Sequence, residues 1–282
     1  MTDKAVAKHR AVRHRADGAS EPTDDFVVVE EPLEIRIAGE TFAITMRTPG
    51  QDAELTAGLL LGEGLIRSKH DLGGLAHCGR AGDEGFGNTI EVTAAPGTRL
   101  DGERFELARR GTLTNASCGV CGRRSIDDLM DRVTPIDDST ELARTMLAAL
   151  TTRLAAEQPV FARTGALHAA GVADAQGKWL LVREDVGRHN AVDKAVGRLI
   201  LDDALPAQGK ILVVSGRTSF EIVQKAVVAG FAALVSVSAP TSMAVATATR
   251  AGLTLIGFSR GPNFNVYAGA GRIVDSDHAP AR

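Results

Sequence analysis

Hydrophobic and polar residues alternate just after residue 30. Two sets of apolar positions flank a short turn at residues 38–40, namely Leu33, Ile35 and Ile37 before it and Phe42, Ile44 and Met46 after it. A period of two is typical of strands with one buried face, so the pattern predicts a β-hairpin. Leucines at helical spacing over residues 51–65 predict a helix that packs on the hairpin, and residues 88–93 predict one further strand.

The second half of the chain shows a different pattern, in which short apolar runs alternate with helical stretches. A helix rich in Ala and Leu is predicted over residues 140–158. The apolar runs after it cover residues 179–182, 211–214, 233–237 and 253–258, and the helical stretches between them cover residues 191–201, 219–229 and 242–251. Runs of this kind suit strands buried on both faces, so the pattern predicts a mostly parallel sheet covered by helices. The fold class is α/β, an α/β sandwich preceded by a smaller α+β part.

Polar loops follow the predicted strands. They cover residues 183–190, 215–218, 238–241 and 259–263, and each combines small residues with hydroxyl groups, amides or arginine. Ligands of parallel sheets bind beyond the carboxyl ends of the strands, where such loops gather. Helix N-termini and arginine side chains bind phosphate, so four such loops predict a site for a nucleotide-like ligand. Any one of them alone reads as an ordinary loop.

Length and composition narrow the class of protein. The chain has 282 residues, 44% of them apolar, which fits one large or two modest domains with a real core. A formal charge of -3 gives no overall attraction to nucleic acid or to anionic lipid. No apolar run is long enough to span a bilayer, and three cysteines do not suggest a disulfide-stapled secreted fold. The expected compartment is the cytoplasm.

Three segments are predicted from changes along the chain. Residues 1–25 are basic and then acidic without an apolar segment, which predicts a disordered tail. A break near residues 133–135 separates an N-terminal α+β part, residues 26–133, from a second domain, residues 134–282. Residues 96–122 show no clear period, so we expect a mobile connector there.

That connector contains a Cys-x-x-Cys motif formed by Cys118 and Cys121. The motif has three chemical interpretations: half of a structural zinc site, a dithiol redox couple, or a carrier of persulfide sulfur. Zinc needs four ligands, and only Cys78 beside His77 could supply another thiolate. A thioredoxin-like couple expects its motif directly after the first strand of a βαβ unit, whereas this one follows an irregular region.

The surroundings of the cysteine pair favour the persulfide carrier. Arg123 and Arg124 follow it, and Ser125 then begins a predicted short helix. Positive charge and a helix N-terminus both favour the thiolate over the thiol, and the thiolate is the nucleophile. A low-pKa thiol on a mobile loop can receive sulfur from a donor and pass it to an acceptor.

Two histidines are weaker candidates for chemistry. His168 and His189 stand near predicted loops, where either could donate a proton to a ligand or to sulfur. A single histidine more often serves packing or hydrogen bonding, and the same holds for Cys78 as a small, partly buried residue. A zinc deaminase would need a His-x-Glu element before its cysteine motif, and neither is present in that form.

Several of these segments together resemble the FdhD family. They are the run SCGVCG at residues 117–122, TPG at 48–50 with Glu54 and Leu55, REDVGRHNAVDK at 183–194, SGR at 215–217 and SAPT at 238–241. The resemblance covers nearly everything beyond the N-terminal tail. The first and third of these runs are its most specific parts. The charged tail and Cys78 are not part of the family pattern.

The resemblance implies a function and a set of residues. Members of that family are sulfur carriers required for formate dehydrogenase, which take persulfide sulfur from a cysteine desulfurase and pass it to the molybdenum or tungsten bis(molybdopterin guanine dinucleotide) cofactor. On this basis Cys118 bears the persulfide and Cys121 assists its transfer or release. The cofactor-contacting residues are Phe258, Ser259, Arg260, Gly261, Pro262 and Asn263. The cofactor is bound as substrate, and no resident metal is expected.

The resemblance also implies a cytidine-deaminase-like fold for the second half, without the zinc ligands of that fold, and a homodimer. A hypothesis from another class stays open at this point. In it the protein is a non-catalytic chaperone for the molybdenum cofactor, and the cysteine pair binds zinc or docks to partners.

Overall fold

The computed structural model describes residues 4–79, 86–100, 105–106 and 135–275. Cys118 and Cys121 therefore lie outside the described residues, and of the predicted connector only residues 96–100 and 105–106 lie within them. Within these ranges the chain forms a mixed α/β fold with three sheets besides a short pair of strands. No helix in this part of the chain combines the length and apolar character needed to cross a lipid bilayer.

The N-terminal segment forms a hairpin. Strands β1 (Val6–His14) and β2 (Ser20–Val28) pair antiparallel along their whole length. Basic side chains of β1 lie across from acidic side chains of β2, as in the ion pair of 2.7 Å between Lys8 and Asp24. The prediction of a disordered tail over residues 1–25 is therefore wrong for the described part. Composition misses the hairpin because its strands are held by cross-strand charges and backbone bonds, with apolar packing confined to the base.

A four-stranded sheet follows the hairpin. Its members are β3 (Glu31–Ile37), β4 (Glu40–Arg47), β5 (Leu72–His77) and β6 (Thr89–Ala94), in the order β4-β3-β6-β5. The predicted hairpin is confirmed as β3 and β4, and the predicted strand at 88–93 as β6. Helix α1 (Asp52–Gly62) lies where leucine spacing predicts it. Strand β5 falls in a glycine-rich stretch without an apolar period, so no strand is predicted there.

The second half contains a six-stranded sheet. Two short strands, β7 (Leu142–Ala143) and β14 (Ile273–Val274), pair beside it. Its members are β8 (His168–Ala173), β9 (Trp179–Asp185), β10 (Ile211–Val214), β11 (Ala233–Ser236), β12 (Thr254–Arg260) and β13 (Asn263–Ala268). Their order is β13-β12-β11-β10-β8-β9. Strands β10, β11 and β12 pair parallel, whereas the pairs β8–β9, β8–β10 and β12–β13 are antiparallel. The sheet is therefore mixed, not mostly parallel as predicted.

Helices cover both faces of this sheet. They are α2 (Arg144–Ala156), α3 (Pro159–Thr164), α4 (Arg188–Leu201), α5 (Phe220–Ala229) and α6 (Ser242–Ala251). Successive residues of β10 alternate between two cores. Leu212 and Val214 pack with α4 and α5, whereas Ile211 and Val213 pack against α2. The predicted α/β sandwich is thus present.

The N-terminal part and the second half share one core. The larger hydrophobic cluster contains buried residues of β3, α1 and β6 together with residues of α4, α5 and α6. Helices α1 and α4 cross at two glycines: a Cβ atom on Gly58 would lie 2.0 Å from the carbonyl oxygen of Asp193, and one on Gly197 would lie 1.7 Å from that of Glu54. Only glycine permits this approach, so the two parts are packed backbone to backbone.

Candidate ligand site at the edge of the sheet

The polar loops of the second half gather at one edge of the six-stranded sheet. Strand β8 runs antiparallel to both β9 and β10, so β9 points the same way as β10, β11 and β12. The carboxyl ends of these four strands therefore share an edge, and β8 and β13 begin there. The expectation that the four loops lie at one edge is confirmed, although the sheet is mixed.

Hydrogen bonds tie neighbouring loops of this edge to one another. The N–H of Thr218 donates to the carbonyl of Ala239 at 3.1 Å, and the N–H of Thr241 donates to the carbonyl of Thr218 at 3.0 Å. The N–H of Phe258 donates to the carbonyl of Ser238 at 3.1 Å. The loops after β10, β11 and β12 thus form one connected surface.

The segment from Phe258 to Asn263 covers the end of β12, a turn at Gly261 and Pro262, and the first residue of β13, and Arg260 pairs with Asn263 across the turn. Phe258 has a φ of 51° and is 43% exposed. A positive φ is unfavourable for a bulky residue, and such strain at an exposed aromatic is typical of ligand sites. The ring is accordingly available to a planar ligand.

The residue after Phe258 anchors the segment to the interior. Ser259 is fully buried, and the hydroxyl group of Thr151 on α2 donates to its carbonyl at 2.9 Å. Arg260 is exposed again, and its Nε donates to the carbonyl of Val237 at 3.2 Å. Gly261, with a φ of 58°, and Pro262 complete the turn. The segment therefore presents an aromatic ring and a guanidinium group from a fixed base.

Three successive residues at the end of β9 each hold a different helix. Arg183 donates to Glu54 of α1 with an Nη2–Oε1 distance of 2.9 Å. Glu184 accepts the N–H of Phe161 in α3 at 2.8 Å. Asp185 forms an ion pair of 2.7 Å with Lys194 of α4. Burial raises the pKa of the Glu184 carboxyl group, against the two backbone N–H groups that bind its charged form.

The Asp185–Lys194 pair is fully buried and also binds the N-terminal part. Asp185 accepts the backbone N–H of Thr48 at 3.2 Å, and Lys194 donates to the carbonyl of Thr48 at 2.8 Å. Asp185 further accepts from the N–H of Gly187 at 2.8 Å and from the side chain of Asn190 at 3.0 Å. A buried ion pair is stable only with such additional hydrogen bonds. Sequence patterns do not predict this network.

His189 is buried beside two partners. Its Nε2 lies 3.0 Å from Glu221 Oε2 and 3.2 Å from Ser219 Oγ. A relay that activates a serine needs the carboxylate on one ring nitrogen and the hydroxyl group on the other, whereas here one nitrogen faces both. His189 therefore joins the first turns of α4 and α5, and this geometry does not activate Ser219 as a nucleophile.

His168 is half-buried at the start of β8. Burial lowers the pKa of its imidazole, and the nearby charge of Arg188 lowers it further, whereas Asp185 opposes both. A Cβ atom on Gly216 would lie 3.4 Å from His168 Nδ1 and 3.7 Å from the Cβ of Arg188. His168, Arg188 and Gly216 thus meet where β8, α4 and β10 reach the edge.

Positive charge predominates at this edge. Arg188 lies at the first position of α4, while Arg217 and Arg260 are exposed in the loops after β10 and β12. The carboxylate of Asp185 is neutralised by Lys194, and that of Glu221 faces His189. An anionic ligand would meet these arginines.

The predicted cysteine nucleophiles cannot be placed relative to this edge. Cys118 and Cys121 lie outside them, as do Arg123, Arg124 and Ser125. Cys78 lies just after β5, partly exposed, and its N–H donates to the carbonyl of Thr89 at 3.0 Å. Within the ranges that the structure covers, His, Cys, Asp and Glu side chains form no group of three that could hold a metal ion.

Comparisons with known proteins match this chain to one family along most of its length. The model of the FdhD/NarQ family matches residues 28–274. Relatives named sulfur carrier protein FdhD include one from Anaeromyxobacter dehalogenans, 50% identical over 256 residues and 88% of each chain. Another, from Streptomyces coelicolor, is 47% identical over 95% of this chain and 96% of its own. The relative from Mycobacterium tuberculosis is 43% identical over 94% and 98%.

A solved structure has the same fold. It is a crystal structure from Desulfotalea psychrophila of a protein described provisionally as a formate dehydrogenase accessory protein. It superimposes with a TM-score of 0.74 over 96% of this chain and all of its own, at 23% sequence identity. At that identity the likeness shows the fold alone. From the family model and the identity to the curated relatives, the chain belongs to the FdhD/NarQ family.

Proposed function

We propose that this protein is a sulfur carrier in the maturation of formate dehydrogenase. It takes persulfide sulfur from a cysteine desulfurase and transfers it to the bis(molybdopterin guanine dinucleotide) cofactor of molybdenum or tungsten. The observation that carries the proposal is the single sheet edge that gathers an exposed strained Phe258 and three arginines, in a chain whose relatives are named sulfur carrier proteins. The cofactor is the substrate of this reaction.

The edge suits the guanine nucleotide end of such a cofactor. An exposed aromatic ring can stack on a purine base, which is worth roughly 1–3 kcal/mol in nucleic-acid sites. The guanidinium group of Arg260, two residues away, can bind a carbonyl or phosphate oxygen. Ser259 and its bond to Thr151 keep both side chains in place. The residues from Phe258 to Asn263 are thus the proposed contact for the cofactor.

Cys118 is the proposed sulfur-bearing residue. Its thiolate attacks the outer sulfur of the desulfurase persulfide, the sulfur–sulfur bond of the donor breaks, and the donor cysteine leaves as a thiolate. Arg123 and Arg124 favour the thiolate form of Cys118. Cys121 assists the subsequent transfer or release. This makes the protein a sulfurtransferase in the sense of a persulfide carrier.

Three finer expectations belong to the same proposal. The second half is a cytidine-deaminase-like sandwich that binds the cofactor. The protein is a cytoplasmic homodimer. Its partners are the desulfurase and a formate dehydrogenase, and it holds no metal of its own.

Substitution of Cys118 by alanine tests the carrier role. We expect Cys118→Ala to fold normally and to abolish activation of a formate dehydrogenase in cells that lack the native protein. Cys78→Ala is the matched control, because it also removes one thiol, and it should retain activation. Mass spectrometry after incubation with a desulfurase and cysteine should show one added sulfur on the peptide that contains Cys118. Full activation by Cys118→Ala, or stoichiometric zinc without the added sulfur, would refute the carrier role.

Charge reversal at Arg260 tests the cofactor site. Arg260→Glu replaces an attractive charge at the proposed nucleotide contact, and we expect the affinity for GDP measured by calorimetry to fall at least about tenfold. The variant should unfold at the same temperature as the wild type, since Arg260 is exposed. Unchanged affinity would remove this segment from the site.

A further inference from the structure

A second cluster lies at the same edge, outside the segment from Phe258 to Asn263. His168 begins β8, Arg188 begins α4, and Gly216 follows β10, so three elements converge there. A Cβ atom on Gly216 would lie 3.4 Å from His168 and 3.7 Å from Arg188, so both side chains lie against this glycine. The resemblance assigns no ligand contact to these residues, and they lie apart from Phe258 in the chain.

Polar groups of this cluster lack partners in the described chain. The Nε of Arg188 is buried without a hydrogen-bond partner, and so is the hydroxyl group of Thr218 on the neighbouring loop, a residue with no exposed surface. No hydrogen bond or ion pair joins the His168 ring to another described residue. Buried polar groups are nearly always paired, and the exceptions require an explanation such as a bound ligand. The Arg188 side chain could therefore rotate toward a ligand without breaking a hydrogen bond at Nε.

The charge around the cluster selects an anion. The acidic group whose charge acts on His168 is Asp185, and that charge is compensated by Lys194 at 2.7 Å. Arg188 adds a positive charge beside His168, and the exposed Arg217 follows in the same loop as Gly216. A guanidinium group binds phosphate oxygens in pairs, and a neutral imidazole adds one N–H donor.

We infer that His168 and Arg188, beside Gly216, form a subsite for the phosphate groups of the nucleotide whose base lies at Phe258. This inference rests on the proposed function. From β12 to β8 there are three strand spacings, β12–β11, β11–β10 and β10–β8, or about 14 Å. That span is comparable with the length of an extended nucleoside diphosphate. The base and its phosphates thus lie at opposite ends of one sheet edge.

Calorimetry with GDP and with guanosine tests the subsite. We expect Arg188→Gln to weaken GDP about tenfold or more and to leave guanosine unchanged, because guanosine has no phosphate. Arg10→Gln, in the exposed part of the N-terminal hairpin, is the matched control and should bind both ligands as the wild type does. His168→Leu is a second variant, which should weaken GDP severalfold and does not depend on the folding of Arg188→Gln.

The outcomes separate this inference from the function on which it rests. If the wild type binds GDP and both variants bind it within twofold of the wild type, the subsite is wrong and the nucleotide site stands. If Arg188→Gln weakens guanosine as much as GDP, Arg188 contacts the base and the subsite is wrong. If the wild type binds neither ligand, the proposed cofactor site fails and the subsite fails with it.

Discussion

The buried interface of α4 and the ligand edge of the sheet both carry charged side chains, but they use them differently. At the buried interface the charges are matched, as in Asp185 of β9 with Lys194 and in Lys225 of α5 with Asp193 at 2.5 Å. At the edge Arg217 and Arg260 are exposed, and Arg188 has a buried Nε without a partner. One end of α4 thus belongs to both environments.

This difference separates groups that hold the fold from groups that are free to contact the proposed ligand. Desolvating a charge costs free energy, so buried charges persist only where a partner and further hydrogen bonds offset that cost. Exposed arginines that pair with no carboxylate contribute little to stability, and they can therefore be used for binding. Substitutions in the two regions should accordingly affect different measurements: unfolding for the interface and nucleotide affinity for the edge.

The largest expected effect is at the buried ion pair. Asp185→Ala leaves Lys194 without its counter-charge and Thr48 without an acceptor for its N–H, so we expect a loss of about 3–5 kcal/mol in the free energy of unfolding. Urea titration measures the loss. Asp202→Ala is the control, because Asp202 also pairs with an arginine, Arg198, at 2.6 Å but at the surface. It should cost less than about 1 kcal/mol. Equal losses in the two variants would contradict the distinction.

A smaller loss is expected at the helix crossing. Gly197→Ala places a methyl group 1.7 Å from the carbonyl oxygen of Glu54, so α1 and α4 must separate. We expect a loss of about 3 kcal/mol, whereas the same change in an exposed helix would normally stabilise by about 1 kcal/mol. Gly74→Ala in β5, where a Cβ atom meets no other atom within 4 Å, is the control. A stabilised Gly197→Ala variant would show that the helices are not tightly packed there.

The smallest expected effect is the pH dependence at His168. Burial and Arg188 lower the pKa of this imidazole below its usual 6.5 in the folded state, against Asp185. The unfolded chain therefore binds the proton more tightly. The contribution of His168 to stability is complete above pH 6.5 and is lost as the pH falls from 6.5 through the lower pKa of the folded state. His168→Gln should remove this dependence. Because the ring is half-exposed, the difference should stay below about 1 kcal/mol. Parallel pH curves of unfolding for both proteins would contradict the assignment.

The fold follows from the sequence wherever burial alone sets the pattern. Strand β10 and helix α6 have the predicted bounds, because their neighbours in the chain are polar or glycine and their own residues face a core. Strand β8 is not predicted, since His168–Ala173 consists largely of alanine and glycine and shows no contrast between its faces. Its insertion between β9 and β10 is what makes the sheet mixed.

The candidate site is only partly predictable for a related reason. The loops and their common edge follow from strand–helix alternation, and the segment from Phe258 to Asn263 lies there. The contact between Thr48 and Asp185 cannot be predicted from the sequence, because the two residues are 137 positions apart and such pairings leave no local pattern. The positive φ of Phe258 likewise leaves no local pattern, and its N–H donates to Ser238 in another loop.

The glycine crossing of α1 and α4 has a consequence for how this protein can be divided. A fragment that began at residue 134 would expose to water the surface of α4 around Gly197. It would also remove Thr48, whose backbone N–H donates to Asp185 of the buried ion pair. The second half therefore cannot be excised as a self-sufficient module. A graft of the second half onto another protein would have to include helix α1.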